Sequence, residues 1–262
     1  MSDHRAPVAV FDSGLGGISV LRELVRTLPQ ENYLYFGDSL HAPYGTKTPQ
    51  EVTELSMQAA QKLLSQGAKA LVVACNTATS AAIRTLRKTW PELAIVGTEP
   101  AVKPAVERHP GGRILMLATA MTVQEEKFQR LKAQYDDQAQ IIPVACSGLM
   151  EFVEQGILRG PEVEGYLLDK LEPYLKVPID AVVLGCTHYP FLRGAIRRIV
   201  GRRPEIIDGS FGIAKQLQHR LEEQQIRNPD TKKGEVRFEN SLDEPEILAL
   251  MQALFQYEDE EP

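Results

Sequence analysis

The sequence predicts an α/β protein built from two pseudo-symmetric, parallel-sheet domains that face each other, with the active site in the cleft between them. Three observations predict this. Short apolar runs alternate with stretches of helical apolar spacing along most of the chain, the pattern of parallel sheets covered by helices. The stretch Leu71-Val-Val-Ala-Cys-Asn-Thr-Ala-Thr79 returns in kind as Val183-Leu-Gly-Cys-Thr-His-Tyr-Pro190. The alternation also falls into two sets of four strands, and a cysteine follows the third strand of each.

In the first set, Val8–Phe11, Tyr33–Phe36, Ala70–Ala74 and Leu93–Val96 read as strands. The glycine turn Asp12-Ser-Gly-Leu-Gly-Gly17 leads into helical spacing from Ile18 to Leu28. Thr48-Pro-Gln-Glu51 reads as a capping box with proline first inside the helix, which runs to about Gln66 and stops at Gly67. A further helix is expected from about Thr79 to Lys88. In the second set, Ile114–Leu117, Ile141–Val144, Ala181–Leu184 and Ile206-Ile207 read as strands. Thr122-Val-Gln-Glu125 reads as a second capping box, and Leu149–Gln155, Val163–Leu175 and Phe191–Val200 as helices. The last segment adds a helix, a strand at Glu235–Phe238 and a helix at Glu246–Phe255, and is expected to pack on the first domain. The expected division is 1–97 plus 209–262 for the first domain and 98–208 for the second.

Composition excludes several classes. A net charge of −6 argues against non-specific binding to nucleic acid or to an anionic membrane. No run of about 18 apolar residues spans a membrane, and the N-terminal residues have no apolar signal core. Three cysteines without paired spacing, Cys75, Cys146 and Cys186, fit a reducing compartment, so a cytoplasmic protein is expected. The acidic tail Glu258-Asp-Glu-Glu261 reads as a frayed end.

The two duplicated cysteines carry the chemistry. A lone cysteine after an apolar run is usually core, and that reading holds for Cys146. Cys75 and Cys186 instead occupy equivalent places at the carboxyl ends of strands, where open α/β sheets bind ligands. A thiol's ordinary pKa of about 8.5 lies close enough to neutrality for proton exchange. The pair therefore suggests a two-base acid–base enzyme. Two other readings stand beside it. Cys75, Cys186 and His188 could form a Cys2His zinc set, although Cys-x-His is not a zinc spacing and neither CxxC nor HExxH occurs. Cys186 could be a nucleophile with His188 as its base, which leaves Cys75 without a task. The Asp12–Gly17 turn is neither a dinucleotide fingerprint nor a P-loop. It can offer helix N–H groups to a carboxylate, and Asp12 could cap that helix or receive an ammonium group. Asn76-Thr77 and Thr187-His188 could hold a small zwitterion or simply cap their helices. Asp38, Glu151 and His188 are candidate supporting groups.

Phe11-Asp-Ser-Gly-Leu-Gly-Gly17, Gly37-Asp38 with Pro43-Tyr-Gly45, Ala74-Cys-Asn-Thr77, Gly97-Thr-Glu-Pro-Ala-Val-Lys-Pro104 and Gly185-Cys-Thr-His-Tyr-Pro190 together resemble the glutamate racemase family, from Val8 to about Asp208. The two cysteines are shared with the wider aspartate/glutamate racemase superfamily. The resemblance implies a cofactor-independent enzyme that makes D-glutamate for bacterial peptidoglycan, with Cys75 and Cys186 as its two bases. It implies a substrate site lined by Asp12, Ser13, Tyr44, Gly45, Asn76, Thr77, Thr187 and His188, and no metal. Asp12, Asp38, Glu151 and His188 would be ionisable support, and Thr119 and Thr122 match a further turn of the family. Glu125 and Phe128, and the order Ile207-Asp-Gly-Ser210, depart from the usual pattern. The expected partners are glutamate and a second copy of the chain in a homodimer. Only about seven residues precede the first strand, so regulation through an N-terminal extension by a peptidoglycan precursor is not expected. A racemase for another small carboxylate and a non-catalytic amino-acid-binding protein are the rival readings.

Overall fold

Two all-parallel sheets organise the chain. The structure is a computed structural model and describes residues 3–124 and 126–259. The first set of strands is β1 (Val8–Asp12), β2 (Tyr33–Gly37), β3 (Ala70–Val73) and β4 (Ala94–Gly97), linked by helices α1 (Ile18–Thr27), α2 (Pro49–Ser65) and α3 (Asn76–Thr89). Next come α4 (Val102–Arg108), β5 (Arg113–Ala118), α5 (Ala120–Gln124), α6 (Glu126–Ala133), β6 (Gln140–Ala145), α7 (Leu149–Glu154), α8 (Pro161–Leu175), β7 (Ala181–Leu184), α9 (Arg193–Val200) and β8 (Glu205–Asp208). The chain ends with α10 (Ser210–Glu223), β9 (Val236–Asn240) and α11 (Pro245–Gln256).

One sheet has the order β4-β3-β1-β2-β9 and the other β8-β7-β5-β6. Numbered within each set, both read 4-3-1-2, as the internal duplication requires. β9 adds a strand beside β2, pairing Tyr33 with Val236. Contacts group the chain into one unit up to Thr98 together with Ser210–Gln256, and a second of Glu99–Gly209. From Tyr257 onward the tail groups with the second unit, whereas the sequence reading keeps it with the first.

Each sheet is covered on its faces, so its strands are apolar at consecutive positions instead of alternating. In the first unit Phe11, Leu34, Phe36, Leu71 and Val73 form a buried cluster with Val52 and Leu63 of α2 and Ala82 and Leu86 of α3. Val8, Val10, Tyr33, Tyr35 and Val72 of the same strands are also buried. In the second unit Ile114, Met116, Ala181, Val183 and Ile207 pack with Val102 and Val106 of α4 and with Phe128.

The capping box at α2 forms as the sequence predicts: Thr48 Oγ1 accepts from the Glu51 N–H, and Glu51 Oε2 accepts from the Thr48 N–H. The helix expected to open at Thr122 begins earlier. Thr122 lies inside α5, and its N–H donates to Thr119 Oγ1 at 3.3 Å; Glu125 lies outside the described residues. Part of the acidic tail, 260–261, lies outside them as well. α3 begins three residues earlier than expected, because Cys75 itself caps it. Asp12 does not cap α1. That helix has Gly17 at its N-cap with no side-chain cap, and Asp12 Oδ1 accepts from the Gly14 N–H at 3.0 Å instead.

Gly17 has a packing reason to be glycine. A Cβ there would stand 2.6 Å from Asp12 Cβ and 3.1 Å from Ala74 Cβ. Gly17→Ala is therefore expected to lower stability by roughly 1–3 kcal/mol by overpacking, read as a lower urea midpoint at unchanged slope. An unchanged midpoint would show that the turn can relax.

Candidate active site

Strand register decides which residues meet in the first unit. Phe11 pairs with Val73 and Asp12 with Gly37. Two residues past Phe11 and Val73 stand Ser13 and Cys75, and their Oγ and Sγ atoms lie 3.4 Å apart. The Cys75 sulfur also accepts from the Ala78 N–H at 3.4 Å, which places it at the N-terminus of α3. That is a setting suited to a sulfur bearing negative charge. Asn76 and Thr77 occupy the first turn of α3, and Asn76 Oδ1 is buried with no hydrogen-bond partner among the described residues.

Asp12 and Asp38 end β1 and follow β2, and both are buried. Tyr44 Oη donates to Asp38 Oδ2 at 2.7 Å, and His41 Nδ1 lies 2.9 and 3.0 Å from the two Asp38 oxygens. Burial, then the hydrogen bond to Asp38, push the Tyr44 hydroxyl far above its ordinary pKa, so it stays protonated and can donate. Gly45 lies in the single helical turn Tyr44–Thr46.

The second unit repeats the geometry with different chemistry. Leu117 pairs with Leu184, so Thr119 and Cys186 stand at the same level beyond the sheet. Thr119 and Thr122 share a 3.0 Å hydroxyl contact. Cys186 Sγ lies 3.6 Å from His188 Nδ1, and His188 Nε2 lies 2.6 Å from Glu154 Oε1. His188 and Thr187 are buried. Burial alone would drive the imidazole towards neutrality. The hydrogen bonds and charges of Cys186 and Glu154 outweigh it and hold the His188 pKa well above the usual range. The buried Tyr189 pins the same turn by donating to the Cys146 carbonyl at 2.7 Å.

The structure thus gathers Asp12, Ser13, Asp38, Tyr44, Gly45, Cys75, Asn76 and Thr77 at the carboxyl edge of one sheet. Thr119, Thr122, Cys186, Thr187 and His188 gather at that edge of the other. It does not bring Glu151 into the group. Glu151 is exposed, and Glu154, one turn further along α7, is the carboxylate that reaches His188. The two glutamates lie on the same short helix, and only the packing of α7 beside the Tyr189–Leu192 turn separates them. Cys146 is fully buried, and burial pushes its thiol up to about 11, which fits the core role read from the sequence. Among the described residues no group of three or more His, Cys, Asp or Glu is arranged to hold a metal ion, and no helix is long and apolar enough to cross a membrane. A cavity of about 380 Å³ in the second unit, lined by Arg159, Glu164, Arg198 and Tyr257 among others, includes none of the site residues.

Comparison with known proteins follows the same lines. The family model for Asp/Glu/Hydantoin racemase matches residues 11–214. A glutamate racemase of Clostridium perfringens is 48% identical over 251 residues, which cover 96% of this chain and 96% of that protein. The crystal structure of glutamate racemase from Francisella tularensis in complex with D-glutamate superposes with a TM-score of 0.82 at 27% identity, covering 97% of this chain and 95% of that one. That of the Escherichia coli glutamate racemase, in complex with L-glutamate and the activator UDP-MurNAc-ala, superposes with a TM-score of 0.85 at 29% identity, covering 95% of each chain.

The geometry around His188 makes a measurable prediction. Its folded pKa lies above the unfolded value of about 6.5. Its contribution to stability is therefore fully present below that pH and is lost as pH rises through the folded value. Ring NMR should find His188 protonated at pH 7 in the wild-type protein, and Glu154→Gln should move its titration downward. A neutral imidazole at pH 7 in the wild type would overturn the assignment.

Proposed function

The chain belongs to the Asp/Glu/Hydantoin racemase family, and from that premise we propose that it interconverts L- and D-glutamate, with Cys75 and Cys186 exchanging protons at opposite faces of Cα and no cofactor taking part. The observation that carries this reading is the shared strand order. In both sheets the third strand of the set ends at a cysteine, and the turn after it supplies hydroxyl, amide or imidazole groups.

Inversion at Cα needs a proton to leave one face and another to arrive on the opposite face. One fixed base cannot do both without turning the intermediate over, whereas two thiols can. The sulfur that begins as thiolate takes the Cα proton, and the electron pair left on Cα takes the proton of the opposing thiol. One turnover leaves the two sulfurs with exchanged protonation states, ready for the reverse reaction. By analogy with the family, Cys75 takes the proton of D-glutamate and Cys186 that of L-glutamate.

The weak acidity of a Cα–H beside a carboxylate is the main barrier, so preorganised donors must meet the charge that develops on that carboxylate. Ser13, Thr77, Thr187 and the Tyr44–Gly45 turn are placed in this role. Asp12 and the unpartnered Asn76 Oδ1 suit the substrate ammonium group. The His188–Glu154 pair keeps a proton beside Cys186 that the sulfur can exchange. Asp38, Thr119 and Thr122 support these groups from the same sheet edges. Excluding water from the reacting atoms would strengthen these contacts. The reading extends to a homodimer in the cytoplasm that supplies D-glutamate for peptidoglycan.

Circular dichroism of L- or D-glutamate incubated with dialysed, chelator-treated protein tests the activity. Both enantiomers should approach a racemic mixture, with aspartate and glutamine much poorer. A requirement for added pyridoxal phosphate or zinc would sink the reading. Cys75→Ala and Cys186→Ala should each lower racemisation by roughly 10²–10⁴-fold or more in both directions. Proton NMR in heavy water then separates the two thiols. Cys186→Ala should slowly exchange the Cα hydrogen of D-glutamate only, and Cys75→Ala that of L-glutamate only. Near-normal racemisation by either variant rules out two bases, and the opposite exchange preference swaps their roles.

A further inference from the structure

Asp38 is a buried carboxylate, and a buried charge needs compensation. Among the described residues His41 is its only ion-pair partner, and Asp38 is the only ion-pair partner of His41. The contact is bifurcated, with Nδ1 at 2.9 and 3.0 Å from the two oxygens. The remaining hydrogen bond to the carboxylate comes from Tyr44 Oη at 2.7 Å. The Tyr44 ring is itself buried, with its centroid 6.2 Å from that of Phe11. His41 differs from both neighbours in that 42% of its side chain is exposed, so its proton exchanges with solvent.

The other groups around this cluster are few. Asp12 at the end of β1 and Cys75 at the end of β3 act on Tyr44 through their charge. At the end of β9, Asn240 Nδ2 donates to Ser39 Oγ at 2.8 Å, and the Leu40 N–H donates to Ser241 Oγ at 2.9 Å, with Asp243 and Glu244 following in the chain. These contacts pin the 39–41 turn to the sheet but leave its charge to Asp38 alone. The result is a chain of three groups, from an exposed imidazole through a buried carboxylate to a buried hydroxyl. Its inner end is the turn to which the functional reading assigns substrate contact.

We propose that His41 is a positioning residue for racemisation: acting through Asp38, it sets the Tyr44–Gly45 turn. The inference rests on the proposed role of Tyr44 and Gly45 in binding glutamate. A hydrogen bond donated to a carboxylate is charge-assisted and stronger than a neutral one, so the Nδ1 contact orients Asp38 and through it the Tyr44 hydroxyl. The effect falls on substrate binding because neither His41 nor Asp38 exchanges the reacting proton. Loss of the His41 side chain should raise KM by roughly two- to five-fold, the size expected for a partly exposed pair.

Three proteins test this. His41→Ala should raise KM, with kcat changed less than about three-fold. His41→Arg keeps a donor within reach of Asp38, so it should restore a low KM. Thermal melts of both variants establish that they are folded. The proposal is overturned if His41→Ala leaves KM unchanged, if kcat falls while KM stays, or if His41→Arg shows the KM of His41→Ala. Should the wild-type protein fail to racemise glutamate at all, the functional reading fails first, and this role fails with it. A wild type that racemises beside variants without these effects removes only the role of His41.

Discussion

A parallel strand hands its chain to a helix, and the N-terminus of that helix carries backbone N–H groups with no partner inside it. Everything in the candidate site depends on this junction. At Cys75 the junction is immediate: the residue after β3 is one alanine, the next is the cysteine, and α3 begins behind it. The thiol consequently takes the place of a capping side chain and accepts from the Ala78 N–H. Cys186 occupies the same point of the second sheet, but its strand runs into the Tyr189–Leu192 turn before α9 starts. No helix end stands directly behind that sulfur, and the His188–Glu154 pair stands there instead.

The two thiols therefore meet one requirement by different means. Backbone N–H groups are fixed donors that cannot titrate, while an imidazole held by a carboxylate can give or take a proton. The proposed two-thiol reaction needs each sulfur to be stable with and without its proton. Nothing in that requirement demands that the two environments match. The shared strand order gives the two thiols equivalent positions, and the groups behind them differ. Cys146 is the internal contrast: it lies in the same sheet region, yet it is sealed from solvent and its thiol is raised to about 11. Burial makes it unfit for proton exchange near neutrality.

Strand periodicity, the cysteine placement and the Thr48–Glu51 box were legible because each rests on local residues. What was missed turned on which of several neighbouring residues makes the deciding contact. Nothing local distinguishes Glu151 from Glu154, since the choice is made by the turn that packs on α7. The box at Thr122 looked as good as the one at Thr48. Thr119 is three residues nearer the end of β5 and captures the Thr122 N–H first. The start of α3 was misplaced because cysteine is not a customary cap, so the sequence offered Thr79 as the more natural opening. His41 carried no signal at all, for its meaning comes entirely from a carboxylate that the end of β2 buries beside it.

Loops at a sheet edge built from glycine, serine and threonine have little apolar surface with which to pack themselves down. Three of them are tied instead by a buried tyrosine hydroxyl. Tyr35 on β2 donates to the Gly14 carbonyl at 2.7 Å, in the turn that carries Ser13. Tyr189 donates to the Cys146 carbonyl at 2.7 Å and so holds the turn behind Cys186. Tyr44 donates to Asp38 at 2.7 Å and fixes its own turn. A tyrosine is well suited to this because its ring is held by the core while its single polar atom reaches the edge. The bond is directional, so it fixes orientation as well as position. Losing the hydroxyl would leave a buried carbonyl or carboxylate short of a donor, which costs more than the bond itself contributes. The turns of the site can thus be built from small polar residues, because their rigidity is supplied from the apolar layer beneath them.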